Sequence, residues 1–460
     1  MHSMYLVSLK RPCSANLAGR CAIRDPSTSE TGISRAIVTV RNTNSFSMML
    51  PVLPFETIEL IIEAVGENKD INLLKELALV SHSFHQVCSK HLFATVELHD
   101  AVPRRHVASS KKGFVKLLNI RPDVVKYIRK LTYKMEYYYP QSSSIHNDDE
   151  LLSPILPNFL RTIPSLNHLI ITPSEWLDWN ELNSSLTSAF LHLMRLPTVN
   201  HIDLSLITNF PLSSFTPSVN LHRLEILCVL PSDPIREDGE PEDGPFEFVQ
   251  SGMMPKLREF HTSGSDLMAK QLLLAKGQDG LPAFNFIDLI GLSMPFERDD
   301  RNIRYILQNT RLLEKLHLRI GSDRSLVELH EILSPSARTL KVLDLTVFLY
   351  GGGSVFLGGI CEELEALAGQ NMLEALSLRV IADSYYETAD FIGSTIQKVE
   401  GVLVKPGWSA LRKVSFKLEV GCVSSERAKF SESLQSLPDK YLSHLSKLDS
   451  VAFNYSVEVF

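Results

Sequence analysis

Cysteine is scarce in this chain: six occur among 460 residues, and no two stand as CxxC. Cys13, Cys21, Cys88, Cys228, Cys361 and Cys422 are mostly tens of residues apart, which argues against a disulfide framework and fits a reducing intracellular compartment, cytoplasm or nucleus. Long apolar runs are missing too. The longest uncharged stretch near the centre, Leu345 to Cys361, has 17 residues of which five are glycine, short and glycine-rich for a bilayer span. Charge of one sign is not in large excess: 53 acidic residues face 46 basic ones, a formal net charge of −7 that gives no support to a globally basic nucleic-acid binder. No HExxH or GxSxG motif is present, and Gly351-Gly352-Gly353-Ser354 has neither the dinucleotide spacing nor a following Gly-Lys-Ser/Thr. We therefore assign no catalytic residue, no metal and no cofactor from sequence.

With 44% hydrophobic and 22% charged residues, the composition is that of an ordinary folded protein. The length accommodates about three domains, or one small domain followed by a long array. Residues 1–47 are the least globular part, with eight serines, six Lys or Arg, and only Asp25 and Glu30 as acids. They read as a disordered tail. A targeting segment remains the alternative, although Pro12, Gly19, Pro26 and Gly32 interrupt the amphipathic helix it requires.

From Leu53 the pattern changes. Pro54 suits a first helical turn, and Ile58, Ile61, Ile62 and Val65 follow i, i+3, i+4, i+7 spacing before Gly66, which is expected to end the helix. A second helix is expected from Asp70, with Leu73, Leu74, Leu77 and Ala78 as its apolar face. Ser81 is placed to cap a third that carries Phe84, Val87, Cys88 and Leu92. Three short helices in residues 48–98 cannot hide all this apolar surface among themselves, so a partner or the rest of the chain should cover the surplus. His82, His85, Cys88 and His91 recur every third residue, but each step of three falls 60° short of a helical turn and the four cannot converge on one ion. Packing is the expected role.

Leu53-Pro54, the apolar helix to Ile62, Leu79-Val80-Ser81 before Phe84, and His91-Leu92-Phe93-Ala94-Thr95-Val96 together resemble an F-box of the kind abundant in fungi. Phe84 stands where tryptophan is more usual. The resemblance covers about a tenth of the chain. It implies binding to a small Skp-type adaptor, and through it a cullin, by apolar side chains. The residues it nominates are Leu53, Pro54, Ile58, Ile61, Ile62, Leu79, Val80 and Phe84.

Residues 120–460 repeat a triplet, apolar-x-x-apolar-x-apolar, with central residues Leu131, Leu169, Ile202, Leu227, Phe260, Ile287, Leu316, Leu343, Leu376, Val414 and Val451. Such a triplet arises by chance on the order of fifteen times in a chain this apolar, so the spacing carries the argument. Successive centres are 25 to 38 residues apart, one strand per helix-sized crossover. Helices are expected at Asn302 to Leu312, Ser325 to Leu333 and Ile360 to Leu367, and Tyr350 to Gly359 reads as a connection between repeats. Strands alternating with helices predict a parallel sheet with right-handed crossovers. The expected fold class is thus α/β: a small three-helix module followed by an irregular solenoid, its curved parallel sheet backed by outer helices. It resembles the degenerate leucine-rich-repeat arrays that often follow an F-box.

Residues 99–119 are expected to be a basic linker. Residues 101–135 hold ten Lys or Arg against Asp123 alone. Arg104, Arg105, Lys111, Lys112 and Lys116 form a candidate patch for an acidic partner, with a solvated face as the plainer reading. Pro231 to Glu247, with seven acids and four prolines, reads as an exposed loop. The resemblance implies a non-catalytic substrate-receptor subunit of a cullin-RING ubiquitin ligase, its solenoid facing a target protein. No membrane partner is expected, and nucleic acid is disfavoured. The alternatives left open are an interaction scaffold whose helices only cap the array, and an enzyme with a site assembled from distant residues.

Overall fold

The computed structural model describes residues 54–68, 70–99, 110–135, 155–215, 218–232, 247–248, 255–277, 282–296, 301–321, 329–349, 359–369, 371–382, 389–421, 427–448 and 450–460. The expectations for residues 1–47, Leu53, Arg104, Arg105, 350–358 and most of 231–247 lie outside the described residues. Twelve strands run in chain order: β1 Thr95–His99, β2 Lys130–Met135, β3 His168–Pro173, β4 His201–Phe210, β5 Arg223–Pro231, β6 Glu259–Ser263, β7 Gly291–Phe296, β8 Lys315–Ile320, β9 Val342–Leu349, β10 Ala375–Ala382, β11 Lys413–Val420 and β12 Ala452–Val459. With the two-residue strand Leu177–Asp178, which pairs with the far end of β4, they form a 13-stranded sheet. The sheet is open and parallel throughout, and each strand lies beside its predecessor in sequence. The protein is therefore α/β with an open parallel sheet.

One backbone device recurs at every junction of the main ladder. The carbonyl just before a strand accepts hydrogen bonds from the amides that open the next: Arg129 and Lys130 donate to Ala94, Asn167 and His168 to Arg129, Asn200 and His201 to Asn167. The chain of acceptors continues to Arg412, with distances of 2.7–3.1 Å. It holds neighbouring strands in a common register. Leu131, Leu169, Ile202, Leu224, Phe260, Leu292, Leu316, Leu343, Leu376 and Val414 consequently stand in one row across the sheet. None of them exceeds 2% exposure.

Eight of the eleven triplet centres read from sequence lie in this row, and three are corrected. Leu227 gives way to Leu224, Ile287 to Leu292 and Val451 to Phe453. Leu221-Leu224-Ile226 and Leu224-Leu227-Val229 both satisfy the triplet, and pattern alone cannot choose between them. The backbone chooses. Leu206, Cys228 and Gly264 have φ of 55°, 54° and 59° and follow the paired residues Ser205, Leu227 and Ser263, so a left-handed residue interrupts β4 and β5 and ends β6 at one level. In β4 and β5 it breaks the alternation: Ile226 and Val229 are buried three residues apart, while Leu227 between them faces out.

Helices occupy the crossovers: α4 Ser110–Ile120, α5 Ile155–Arg161, α6 Ser184–Met194, α7 Asp266–Leu274, α8 Arg301–Asn309, α9 Leu329–Leu333, α10 Ile360–Leu367, α11 Ala389–Leu403, α12 Arg427–Gln435 and α13 Leu437–Tyr441. Their apolar faces and the row residues make one continuous core. α10 has its expected limits, whereas α8 ends three residues before the expected Leu312, at Asn309. Residues 110–119 of the expected linker lie in α4, whose Phe114, Val115 and Leu118 are buried in the core. Polar side chains join neighbouring repeats. Thr198 and Thr339 donate through Oγ1 to the carbonyls of Leu166 and Leu313, and buried Glu400 accepts from the amides of His444 and Leu445.

Before the sheet stand α1 Phe55–Glu67, α2 Ile71–Leu77 and α3 His82–Leu92. Ser81 accepts from the Phe84 amide, the cap position read from sequence, and Asp70, where the second helix is expected to start, is its N-cap and accepts from the Leu73 amide. Gly66 does not end α1, which continues to Glu67 with Asn68 as its C-cap. Its role is close approach, since a Cβ there would overlap the His91 ring of α3. Gly393 in α11 is similarly tight against Tyr441 and Leu437. Alanine is favoured over glycine in helices by about 1 kcal/mol, yet overpacking typically costs about 1–3 kcal/mol. We expect Gly393→Ala to lower stability by about 1–2 kcal/mol in urea unfolding, and a stabilised variant would contradict this packing.

Candidate functional site

Two surfaces present side chains that the fold does not use up. The first is the three-helix module, which has a small core of its own. Ile62, Leu74, Val87 and Cys88 are buried, and Ile58, Val65, Leu77, Ala78, Phe84 and Leu92 pack against them. The nominated adaptor residues therefore divide. Ile62 is wholly buried, Ile58 and Phe84 are half-buried against the module's core, and Pro54 is exposed. Ile61, Val80 and Leu79 are 45%, 65% and 87% exposed. Sequence reading missed Phe55 and Leu60, which are 45% and 66% exposed. Leu60 lies off the helical stripe defined by Ile58, Ile62 and Val65, and an apolar residue off that stripe was the available signal.

The His/Cys series is dispersed by the helix. Cys88 lies in the module's core, where burial pushes its thiol up. His91 sits against Gly66, and the His85 imidazole is 3.0 Å from the Arg121 guanidinium, which also pairs with Asp123. Among the described residues no group of three His, Cys, Asp or Glu is placed to hold a metal ion. The basic patch divides as well. Lys111 is 7% exposed with Nζ 4.3 Å from the Tyr133 ring centroid, so it belongs to the α4–sheet packing rather than to a surface patch. Lys112 and Lys116 are exposed on α4.

The second surface is the sheet face turned away from the core. Strand alternation puts every second residue here, and the common register sets side chains of equal rank side by side. The His168 and His201 rings stack with centroids 3.5 Å apart. His201 Nε2 is 3.3 Å from Glu225 Oε1, and the Arg223 guanidinium bridges Glu225 and Glu259 at 2.6 and 2.5 Å. Farther along, Ser293 Oγ, the His317 ring and Thr346 Oγ1 form a chain with contacts of 3.1 and 3.0 Å. Arg379 pairs in two-pronged fashion with Glu419, which also receives Lys417.

Burial and pairing tune these groups. His201 and Arg223 hold Glu225 down to about 2. Burial, then the neighbouring His201, pushes His168 down to about 3, and burial with Arg319 pushes His317 to about 4. Burial lowers His261 as well, and it raises Asp203 with help from the Glu225 charge. Sequence reading selected none of these residues, because nothing marks a polar position as belonging to this face until the register is known.

No protein-family model and no curated protein sequence matches the chain. Among the described residues no helix is long and apolar enough to cross a membrane.

The histidines carry a pH prediction with a definite sign. Their folded pKa values lie below the ordinary 6.5, so the unfolded chain takes up protons first as the pH falls. Stability is full above about pH 6.5 and declines toward about pH 4, and Glu225 adds to the loss only below its ordinary 4.5. Urea unfolding at a series of pH values from about 7.5 down to about 4.5, which brackets the ordinary histidine range, should show this decline. The slope should be shallower in His168→Asn and His317→Asn. An unchanged slope in both variants would remove these rings from the titration.

Proposed function

We propose that the chain is the target-recognising, non-catalytic subunit of a cullin-RING ubiquitin ligase, an F-box protein with a curved leucine-rich-type array. Its three-helix module binds a Skp-type adaptor, and its polar sheet face binds a target protein in the cytoplasm or nucleus. One observation carries this reading. The module closes a core around Ile62, Leu74, Val87 and Cys88, yet leaves Phe55, Leu60, Ile61, Leu79 and Val80 in solvent. An apolar partner surface accounts for those five side chains, where the needs of the module's own fold do not. The two-step arrangement also gives catalysis a place outside the chain: holding a target near a ubiquitin-transfer centre accelerates transfer by proximity.

A plain scaffold, in which the helices serve only as a cap, draws support from the junction at Ala94, whose carbonyl opens the sheet's ladder. The two readings separate on adaptor binding. Leu60 and Leu79 are exposed, so Leu60→Asp/Leu79→Asp should leave the fold intact. Co-purification of residues 48–460 with a Skp-type adaptor should be lost in that variant, with affinity weakened about 100-fold or more. Well-folded wild-type protein that binds none of several such adaptors would leave the scaffold as the better account.

A further inference from the structure

The polar sheet face contains an ionisable group that its neighbours leave without a direct partner. Asp203 lies mid-strand in β4, between Ile170 of β3 and Glu225 of β5. It is half-buried, yet its carboxylate makes no hydrogen bond or ion pair among the described residues. Two residues on, and on the same face by strand alternation, Ser205 is only 4% exposed and its Oγ has no hydrogen-bond partner. Such groups destabilise a fold unless something completes them. Local charge says what that something carries. Asp203 stands near Glu225 and Glu259. The basic groups that act on it are Arg223, already committed to both glutamates, His201, which faces Glu225, and Lys130, which makes no hydrogen bond or ion pair with it.

An apolar rim adjoins this pair. Leu227, in register with Ser205, is 40% exposed, and the left-handed turn at Cys228 brings Leu230, 37% exposed, to the same side. Asp203 and Leu227 are one strand and two residues apart, about 8 Å from standard sheet spacings. Side chains two residues apart in an extended peptide are separated by about 7 Å.

We propose that Asp203 and Ser205 receive a basic side chain from a bound protein segment, with an apolar residue two positions along that segment resting on Leu227 and Leu230. This rests on the reading of the sheet face as the target surface and names the chemistry it selects. A guanidinium or ammonium would neutralise the excess charge, pair with the carboxylate and donate to the orphaned hydroxyl. An acidic segment would instead meet Glu225 and Glu259.

The test uses the purified full chain and two fluorescent peptides, four repeats of Arg-Gly-Leu-Gly and four of Glu-Gly-Leu-Gly, in about 0.15 M salt. The arginine peptide should bind about tenfold tighter or more than the glutamate peptide. Asp203→Asn should lose that preference, while its Tm is unchanged or raised, because the substitution removes an unpaired half-buried charge. Leu227→Ser should weaken the arginine peptide but not an Arg-Gly-Ser-Gly analogue. A wild-type chain indifferent to the arginine peptide, or preferring the glutamate one, overturns the proposal. So does Asp203→Asn that binds as wild type, or that lowers Tm, which would make the aspartate a structural group. Adaptor co-purification with the same Asp203→Asn protein stays intact under the proposal, so failure here is distinguishable from failure of the ligase reading.

Discussion

A single backbone carbonyl ahead of each strand, shared by the amides that open the next, holds the sheet in step. A parallel pair has evenly spaced, slanted hydrogen bonds and no hairpin to set its register. Here the acceptors from Ala94 to Arg412 set it at successive junctions. A slip of one residue at any of them would turn a whole strand's apolar set toward solvent. The row from Leu131 to Val414, none more than 2% exposed, shows how completely this is avoided. The first acceptor is Ala94, just beyond α3, so the three-helix module enters the same ladder rather than hanging from a linker.

The same register creates the polar face. Once the row residues point into the core, the residues between them must point away, and equal ranks on adjacent strands come within one strand spacing. Stacked imidazoles at His168 and His201, and the Glu225–Arg223–Glu259 bridge, follow from that geometry. The groups on this face perturb one another because they are crowded and half-buried together. The left-handed row at Leu206, Cys228 and Gly264 is the one place among the described residues where strands break step in concert. Alternation already turns Leu227 outward, and the break at Cys228 brings Leu230 to the same side, near Asp203. That conformation costs non-glycine residues about 1–2 kcal/mol, and beyond it Ile207 and Val229 return to the core.

The two surfaces differ in kind. On the module, apolar side chains remain in solvent after a small core has closed. On the sheet, charged side chains mostly satisfy one another, and among the described residues Asp203 is left without a direct partner, beside the orphaned Ser205 hydroxyl. An apolar surplus is indifferent to its partner's charge, whereas an unpaired carboxylate is selective. That contrast is what the proposed receptor role calls for, one constant partner and one that is chosen.

Local signals in the chain were enough for the three module helices, for α8 and α10, and for the core side of most strands, but not for α4, which reads as a linker. Asp70 and Ser81 cap α2 and α3 because a short polar side chain before an apolar run has few other uses. Eight triplet centres reach the buried row because alternation and burial are both short-range patterns. Where two triplets overlap, as at Leu221 to Val229, the pattern has two solutions, and only the left-handed backbone at Cys228 selects one. Gly66 illustrates the same limit: the residue type announces a special position, but whether it ends a helix or admits His91 depends on what packs there. The polar site lies further still from any local signal. His168, His201, Asp203, Glu225 and Glu259 span nearly a hundred residues of chain, and their chemistry exists only because parallel pairing brings them to adjacent positions on one face.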